Sequence, residues 1–151
     1  MKVWLFSSRN IDNIEVAYKR LLWGFWDREA GDKQRRNWRA FIRLYNQIKP
    51  FDSATFQIAG TGEIHAIGLI KGRHYDDQTP IWPAEVKENK VLFPWRVEFS
   101  IIIFTSKPIL THFIKIENYI DGYGIGEVSH HDFNLIKEAF EEKFKLKLGI
   151  Q

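Results

Sequence analysis

The chain of 151 residues contains no cysteine and a single methionine. Disulfide scaffolds, thiolate zinc sites and cysteine nucleophiles are therefore excluded. It also lacks any apolar run near the roughly 20 residues that a membrane-spanning helix requires. The strongest such run, Ile101-Ile102-Ile103-Phe104, is only strand-sized, and the apolar start at residues 1–6 passes at once into Ser7-Ser8-Arg9-Asn10, too short for a secretory signal. There is no GxxxxGK[ST] phosphate loop and no GxSxG nucleophile elbow. Gly122-Tyr123-Gly124-Ile125-Gly126 lacks the strand-then-helix context of a dinucleotide fingerprint. The five histidines (His65, His74, His112, and the adjacent His130 and His131) show no metal-ligand spacing. These absences lead to the expectation of one cytoplasmic domain over residues 1–151, with no membrane segment, metal or cofactor and no positive case for catalysis.

What is present is aromatic and asymmetrically charged. Phe, Trp and Tyr make up 15% of the chain, with 6 tryptophans. Residues 1–50 carry eleven Lys and Arg against five Asp and Glu, a local charge of +6, whereas the remainder carries eleven against fourteen, or −3. Basic charge mixed with aromatics suits a nucleic-acid partner, because phosphates attract the cations and base faces stack on rings. On composition alone a solvated helix face is an equally good reading.

The patterning predicts a strand over residues 2–8, then a helix capped by Asn10. That helix would carry Ile14, Tyr18, Leu21 and Leu22 on one stripe and end at Trp23-Gly24. A loop over 27–32 leads to a second helix over 33–47, buried through Trp38, Phe41, Ile42 and Tyr45. Its other faces carry Lys33, Arg35, Arg36, Arg39 and Arg43. A hairpin is expected from 55–59 and 64–71 around Gly60-Thr61-Gly62. Residues 72–90 read as a long loop, 93–104 as a long strand and 109–115 as a short one. Ser129 should cap a final helix with Phe133, Ile136 and Phe140 on its buried stripe. The expected class is α+β: a small, curved, mixed sheet or barrel with about three flanking helices.

Trp4 and Trp38 fall on buried stripes, Trp23 and Trp26 at a helix end, and Trp82 in the long loop between prolines. Two indole faces held roughly parallel would sandwich a purine, with stacking worth ~1–3 kcal/mol per base. Rings plugging the ends of a barrel are the competing explanation.

The order of several segments is similar to a known family. Leu5-Phe6-Ser7-Ser8, Asn13-Ile14 and Leu22-Trp23 resemble the opening of YTH domains. Residues 56–68, Pro80-Ile81-Trp82 and Phe93-Pro94-Trp95 resemble that family's hairpin, its second cage tryptophan and the strand that follows. Residues 124–133 resemble instead the ending of EVE domains, and both families belong to the PUA-like superfamily. YTH/EVE-like domains also occur as target-recognition domains of archaeal McrBC-type modification-dependent restriction systems.

The resemblance implies a PUA-like fold with an aromatic cage for one flipped or unpaired modified base. That base is N6-methyladenine, carried by DNA or, alternatively, by RNA. Trp23 and Trp82 would be the cage walls, with Trp26, Phe25 or Tyr75 as a third. Asn13 would meet the ring edge, Ser7 and Ser8 would stand at the rim, and the Gly24 carbonyl would accept the remaining N6 hydrogen. Lys33, Arg35, Arg36, Arg39 and Arg43 would hold phosphates. A nucleotide-driven motor and nuclease would be partners in a restriction setting. The rival reading, an enzyme acting on an extruded base, would draw its acid or base from Asp12, Asp27 or Asp76.

Overall fold

The computed structural model describes residues 1–27, 32–110 and 114–144, without the side chains of 32–36. Along the chain run β1 (Val3–Ser8), α1 (Ile11–Arg20), β2 (Leu22–Phe25), α2 (Asp32–Tyr45), β3 (Ser53–Ile58), β4 (Ile64–Tyr75), α3 (Pro83–Glu88), β5 (Trp95–Phe104), β6 (Glu117–Ile120), β7 (Ile125–Val128) and α4 (His130–Phe144). All seven strands join one curved mixed sheet in the order β2-β5-β4-β3-β1-β7-β6. Among them β1 and β3 pair in parallel, joined through α1, β2 and α2; the other pairs are antiparallel. The class is α+β, as expected. The end strands β2 and β6 do not pair with each other, so the described sheet is not a closed barrel.

Near the middle, β1 is apolar without alternation because both of its faces are covered. Trp4 and Phe6 enter the main core with Phe25, Phe41 and Phe56, whereas Val3 and Leu5 pack against Val128 and Phe133 on the other side. Trp4 is fully buried, and its Nε1 donates to Asp52 at 3.0 Å, so its polar tip costs little. Ser129 caps α4 by accepting the Asp132 N–H at 3.1 Å, and Ile136 and Phe140 seal that helix against Ile64 and Ile67.

Several expectations are corrected. The first helix stops at Arg20, because Leu21 takes a left-handed conformation (φ 55°) and its N–H closes on the Ala17 carbonyl. Leu22–Phe25 is thereby freed to pair with β5, so Trp23 lies on a strand rather than at a helix end. The presumed loop over 72–90 is partly regular: β4 continues to Tyr75, and Pro83 opens the short α3, which brings the described helices to four. The glycine-bearing stretch after 120 is the turn between β6 and β7. Of the strand expected over 109–115, Leu110 makes a single bridge to Ile64, and residues 111–113 lie outside the described ones. Among the described residues, no helix is long and apolar enough to cross a membrane.

Candidate functional site

A cavity of about 260 Å³ opens where the chain leaves the parallel strands β1 and β3. Its walls come from Ser7, Ser8 and Arg9 at the end of β1, Asn13 of α1, Trp23 to Trp26 on and after β2, and Ala59 after β3. Trp82 and Phe93 flank α3, and Tyr119 with Asp121 to Gly124 close the far side. The volume lies just below the roughly 300–1,000 Å³ of pockets for drug-sized molecules, so it suits a single planar ring system.

Trp23 and Trp82 meet at this cavity with ring centroids 6.2 Å apart and planes at 82°. They form a corner, not the parallel pair expected from the sequence. A parallel sandwich would need each indole about 3.5–4 Å from the ring between them, which this edge-to-face contact does not leave. Both are almost wholly buried, Trp23 at 6% and Trp82 at 2% exposure. Trp26 stands beside them with its ring against Phe93 at 4.9 Å.

Trp82 is held from several directions. Its Nε1 donates to the Asn13 carbonyl at 3.3 Å, and the Arg96 guanidinium lies 5.4 Å from its ring centroid. Its backbone is fixed by Glu85, whose side chain is fully buried. Glu85 Oε1 accepts the N–H groups of Ile81 (2.8 Å) and Trp82 (3.2 Å), and Oε2 accepts those of Leu92 (2.8 Å) and Phe93 (2.9 Å). One carboxylate therefore ties both ends of the segment that carries the ring. Arg96, also fully buried, compensates this charge at 3.5 Å from Glu85 and 3.0 Å from Asp76. It donates further to the Thr79 carbonyl at 2.6 Å and the Phe93 carbonyl at 3.1 Å. The Asp76 carboxyl is held below its ordinary range, first by the Gln78 N–H, with Thr79 and Arg96 adding to it.

Polar groups at the cavity fall into committed and uncommitted sets. Ser8 Oγ donates to the Asn10 carbonyl at 2.7 Å and accepts the Asn10 N–H at 3.3 Å, so it serves the turn into α1. Ser7 Oγ accepts from Gln57 at 2.9 Å, and among the described residues nothing accepts its own proton. The Asn10 side chain caps the Asn13 N–H at 2.9 Å, but the reciprocal bond of a capping box is not made. The Asn13 amide thus has no protein partner among the described residues.

Gly24 shows a similar vacancy in its backbone. Phe99 N–H donates to the Leu21 carbonyl at 3.0 Å, and antiparallel alternation then makes Gly24 and Arg96 a non-hydrogen-bonded pair. The Gly24 N–H and C=O consequently point away from β5 on the open side of an edge strand. The residue must also be small: a Cβ there would lie 2.7 Å from the Phe93 oxygen and 3.0 Å from Trp82 Cζ3. Gly24→Ala is expected to cost about 1–3 kcal/mol by overpacking, read as a lowered denaturant midpoint. Gly124 (φ +69°) is constrained likewise, since a Cβ would fall 2.8 Å from the Ser7 oxygen while its own carbonyl accepts the Ser7 N–H at 2.8 Å.

The structure brings Ser7, Ser8, Asn13, Trp23, Gly24 and Trp26 together with Trp82. Phe25 also reaches the cavity but is a core residue, packed against Phe6 and Phe41. Tyr75 is not among the lining residues and is corrected as a wall: it ends β4 and stacks edgewise on Trp95 at 4.7 Å. Arg39 and Arg43 are exposed on α2 and make no ion pair among the described residues. That helix borders the cavity through Asn37, which donates to the Asp121 carbonyl at 3.1 Å, and Phe41, stacked on Tyr123 at 4.6 Å. The side chains of Lys33, Arg35 and Arg36 lie outside the described ones.

Asp12, Asp27 and Asp76 do not line the cavity; Asp121 does. Among the described residues no cluster of three His, Asp or Glu could hold a metal. Sequence reasoning missed Arg9, Phe93, Tyr119 and the turn from Asp121 to Gly124. For the turn, the close-set glycines were the available signal.

Comparison with curated proteins finds the uncharacterized protein MJ1369 of Methanocaldococcus jannaschii, 66% identical over 144 residues, covering 95% of this chain and 93% of that protein. This chain belongs to the same family. No protein-family model matches the sequence. Among solved structures, the Toxoplasma CPSF4-YTH domain in apo form is similar with a TM-score of 0.48 and 14% identity, covering 89% of this chain and 82% of that one. The YTH domain of the Zygosaccharomyces rouxii MRB1 protein, in complex with N6-methyladenosine RNA, has a TM-score of 0.39 and 8% identity, covering 99% and 88%.

Proposed function

We propose that this chain is a non-enzymatic reader domain that captures one flipped or unpaired N6-methyladenine of DNA in the cavity lined by Trp23 and Trp82. The observation that carries the reading is that a single ring-sized cavity combines aromatic walls with uncommitted polar groups. The base stacks on an indole, and the second indole meets its edge. The Asn13 amide offers both a donor and an acceptor to the ring edge. The Gly24 carbonyl takes the one hydrogen that methylation leaves on N6. The occurrence of YTH/EVE-like domains as target-recognition domains of modification-dependent restriction systems directs the reading to DNA. In a restriction setting a motor and nuclease would act on what this domain finds.

Magnitudes define how such a reader behaves. Burying the methyl group contributes about 0.8 kcal/mol, or roughly fourfold in affinity. Extruding a base from a duplex costs a few kcal/mol, so stacking and phosphate contacts supply most of the binding. Arg39 and Arg43, exposed on α2, are the cations that would supply the phosphate part. Arg39→Ala with Arg43→Ala is expected to weaken methylated and unmethylated strands alike. The salt slope should fall by about 0.7–0.9 for each phosphate that is no longer neutralised. Titrations at several salt concentrations check this.

The reading itself is tested by titrating the protein with oligonucleotides that differ only in one N6-methyl group, as DNA and as RNA. Tighter binding of the methylated DNA supports it. Equal binding of all four strands overturns it, and a preference confined to RNA reassigns the polymer.

A further inference from the structure

Trp23 carries a buried indole N–H that no described residue accepts, with less than 1 Å² of that nitrogen exposed. A buried donor without a partner is costly, and each instance in a native protein calls for a physical reason. Trp23 and Trp82 differ sharply in this respect. Trp82 is fixed by its bond to the Asn13 carbonyl, by the Arg96 guanidinium over its ring and by the Glu85 carboxylate on its backbone. Among the described residues the Trp23 indole has no polar anchor, and its ring is held by edge-to-face contacts with Phe56 at 5.5 Å and Trp82 at 6.2 Å. A base stacked on Trp82 presents its edge to Trp23, the wall whose indole no polar bond holds among the described residues.

We propose that the Trp23 indole N–H is a specificity-determining donor. It leaves its packed position as the ring re-orients with its N–H edge toward a base stacked on Trp82, and it closes on a ring nitrogen of that purine. This inference rests on the reader function above. It explains why the donor is stored without a partner: the ligand supplies the acceptor that the ligand-free protein lacks. It also makes the site select for ring acceptors, which stacking alone ignores because every base has a π face.

The test replaces the Trp23 indole, in the full chain, by benzothiophene, which keeps the fused rings and removes the N–H. Binding is measured against single-stranded DNA bearing one N6-methyladenine and against its 1-deaza, 3-deaza and 7-deaza analogues. The benzothiophene protein is expected to bind the parent strand about three- to tenfold more weakly. On one of the deaza strands, where the matching acceptor is gone, it should equal the wild type, as a coupled pair requires. Trp23→Phe, which also lacks the N–H, should show the same dependence on the analogue if the benzothiophene protein folds poorly. Wild-type-like binding of every strand, or an equal loss on all four, overturns the inference while leaving the reader function standing. Failure of the wild type to distinguish methylated from unmethylated DNA removes the reader function and this inference with it.

Discussion

Glu85→Ala is expected to lower the stability of the fold by about 3–5 kcal/mol, the range for breaking one side of a buried ion pair. The substitution strands the N–H groups of Ile81, Trp82, Leu92 and Phe93 in the interior and leaves the buried Arg96 with less compensating charge. Because these groups fix both ends of the segment around α3, Trp82 should lose its position, seen as a red shift in fluorescence and a lower denaturant midpoint. Glu85→Gln keeps the volume and one acceptor oxygen, and its effect should fall between those of wild type and alanine. A loss below about 1 kcal/mol would mean that the carboxylate does not hold the segment.

Trp82→Ala and Trp23→Ala are expected to abolish the preference for the methylated strand. Each removes one aromatic wall, and losing the wall on which the base stacks costs ~1–3 kcal/mol, about five- to 150-fold in affinity. Both rings are also core residues, and truncating a buried aromatic costs roughly 3–5 kcal/mol of stability, so folding must be verified alongside. Asn13→Ala gives the complementary experiment. Its side-chain amide has no protein partner among the described residues, so stability should hold while binding of the base weakens about three- to tenfold. A folded Asn13→Ala with undiminished binding would remove the edge contact from the mechanism.

How far the molecule could be read in advance depended on whether a local signal marked each element. β1 has a strand-sized apolar run bounded by polar residues, α2 and the β3–β4 hairpin have readable patterns, and α4 has its Ser129 cap, so each was legible to within a few residues. β2 was not. The apolar spacing of Ile14, Tyr18, Leu21 and Leu22 runs on as a helix would, and the residue that stops it in a left-handed conformation is a leucine, not a glycine. α3 carried a readable start, with Pro83 at its first position and Glu85 three residues after Trp82, but the long non-periodic stretch hid it.

At the candidate site, the pairing of Trp23 with Trp82 came from family resemblance, since no spacing rule joins residues so far apart. The perpendicular rings and the Glu85–Arg96 pair depend on tertiary packing around a buried charge, which periodicity does not report.

The indole N–H resonances of the 6 tryptophans report most directly on where a ligand sits. On addition of single-stranded DNA carrying one N6-methyladenine, the Trp23 and Trp82 signals should shift and saturate together. The Trp4 signal, from a fully buried indole bonded to Asp52, should stay in place. Trp23 and Trp82 signals that do not move, or that move equally with the unmethylated strand, would contradict capture of the modified base at this cavity.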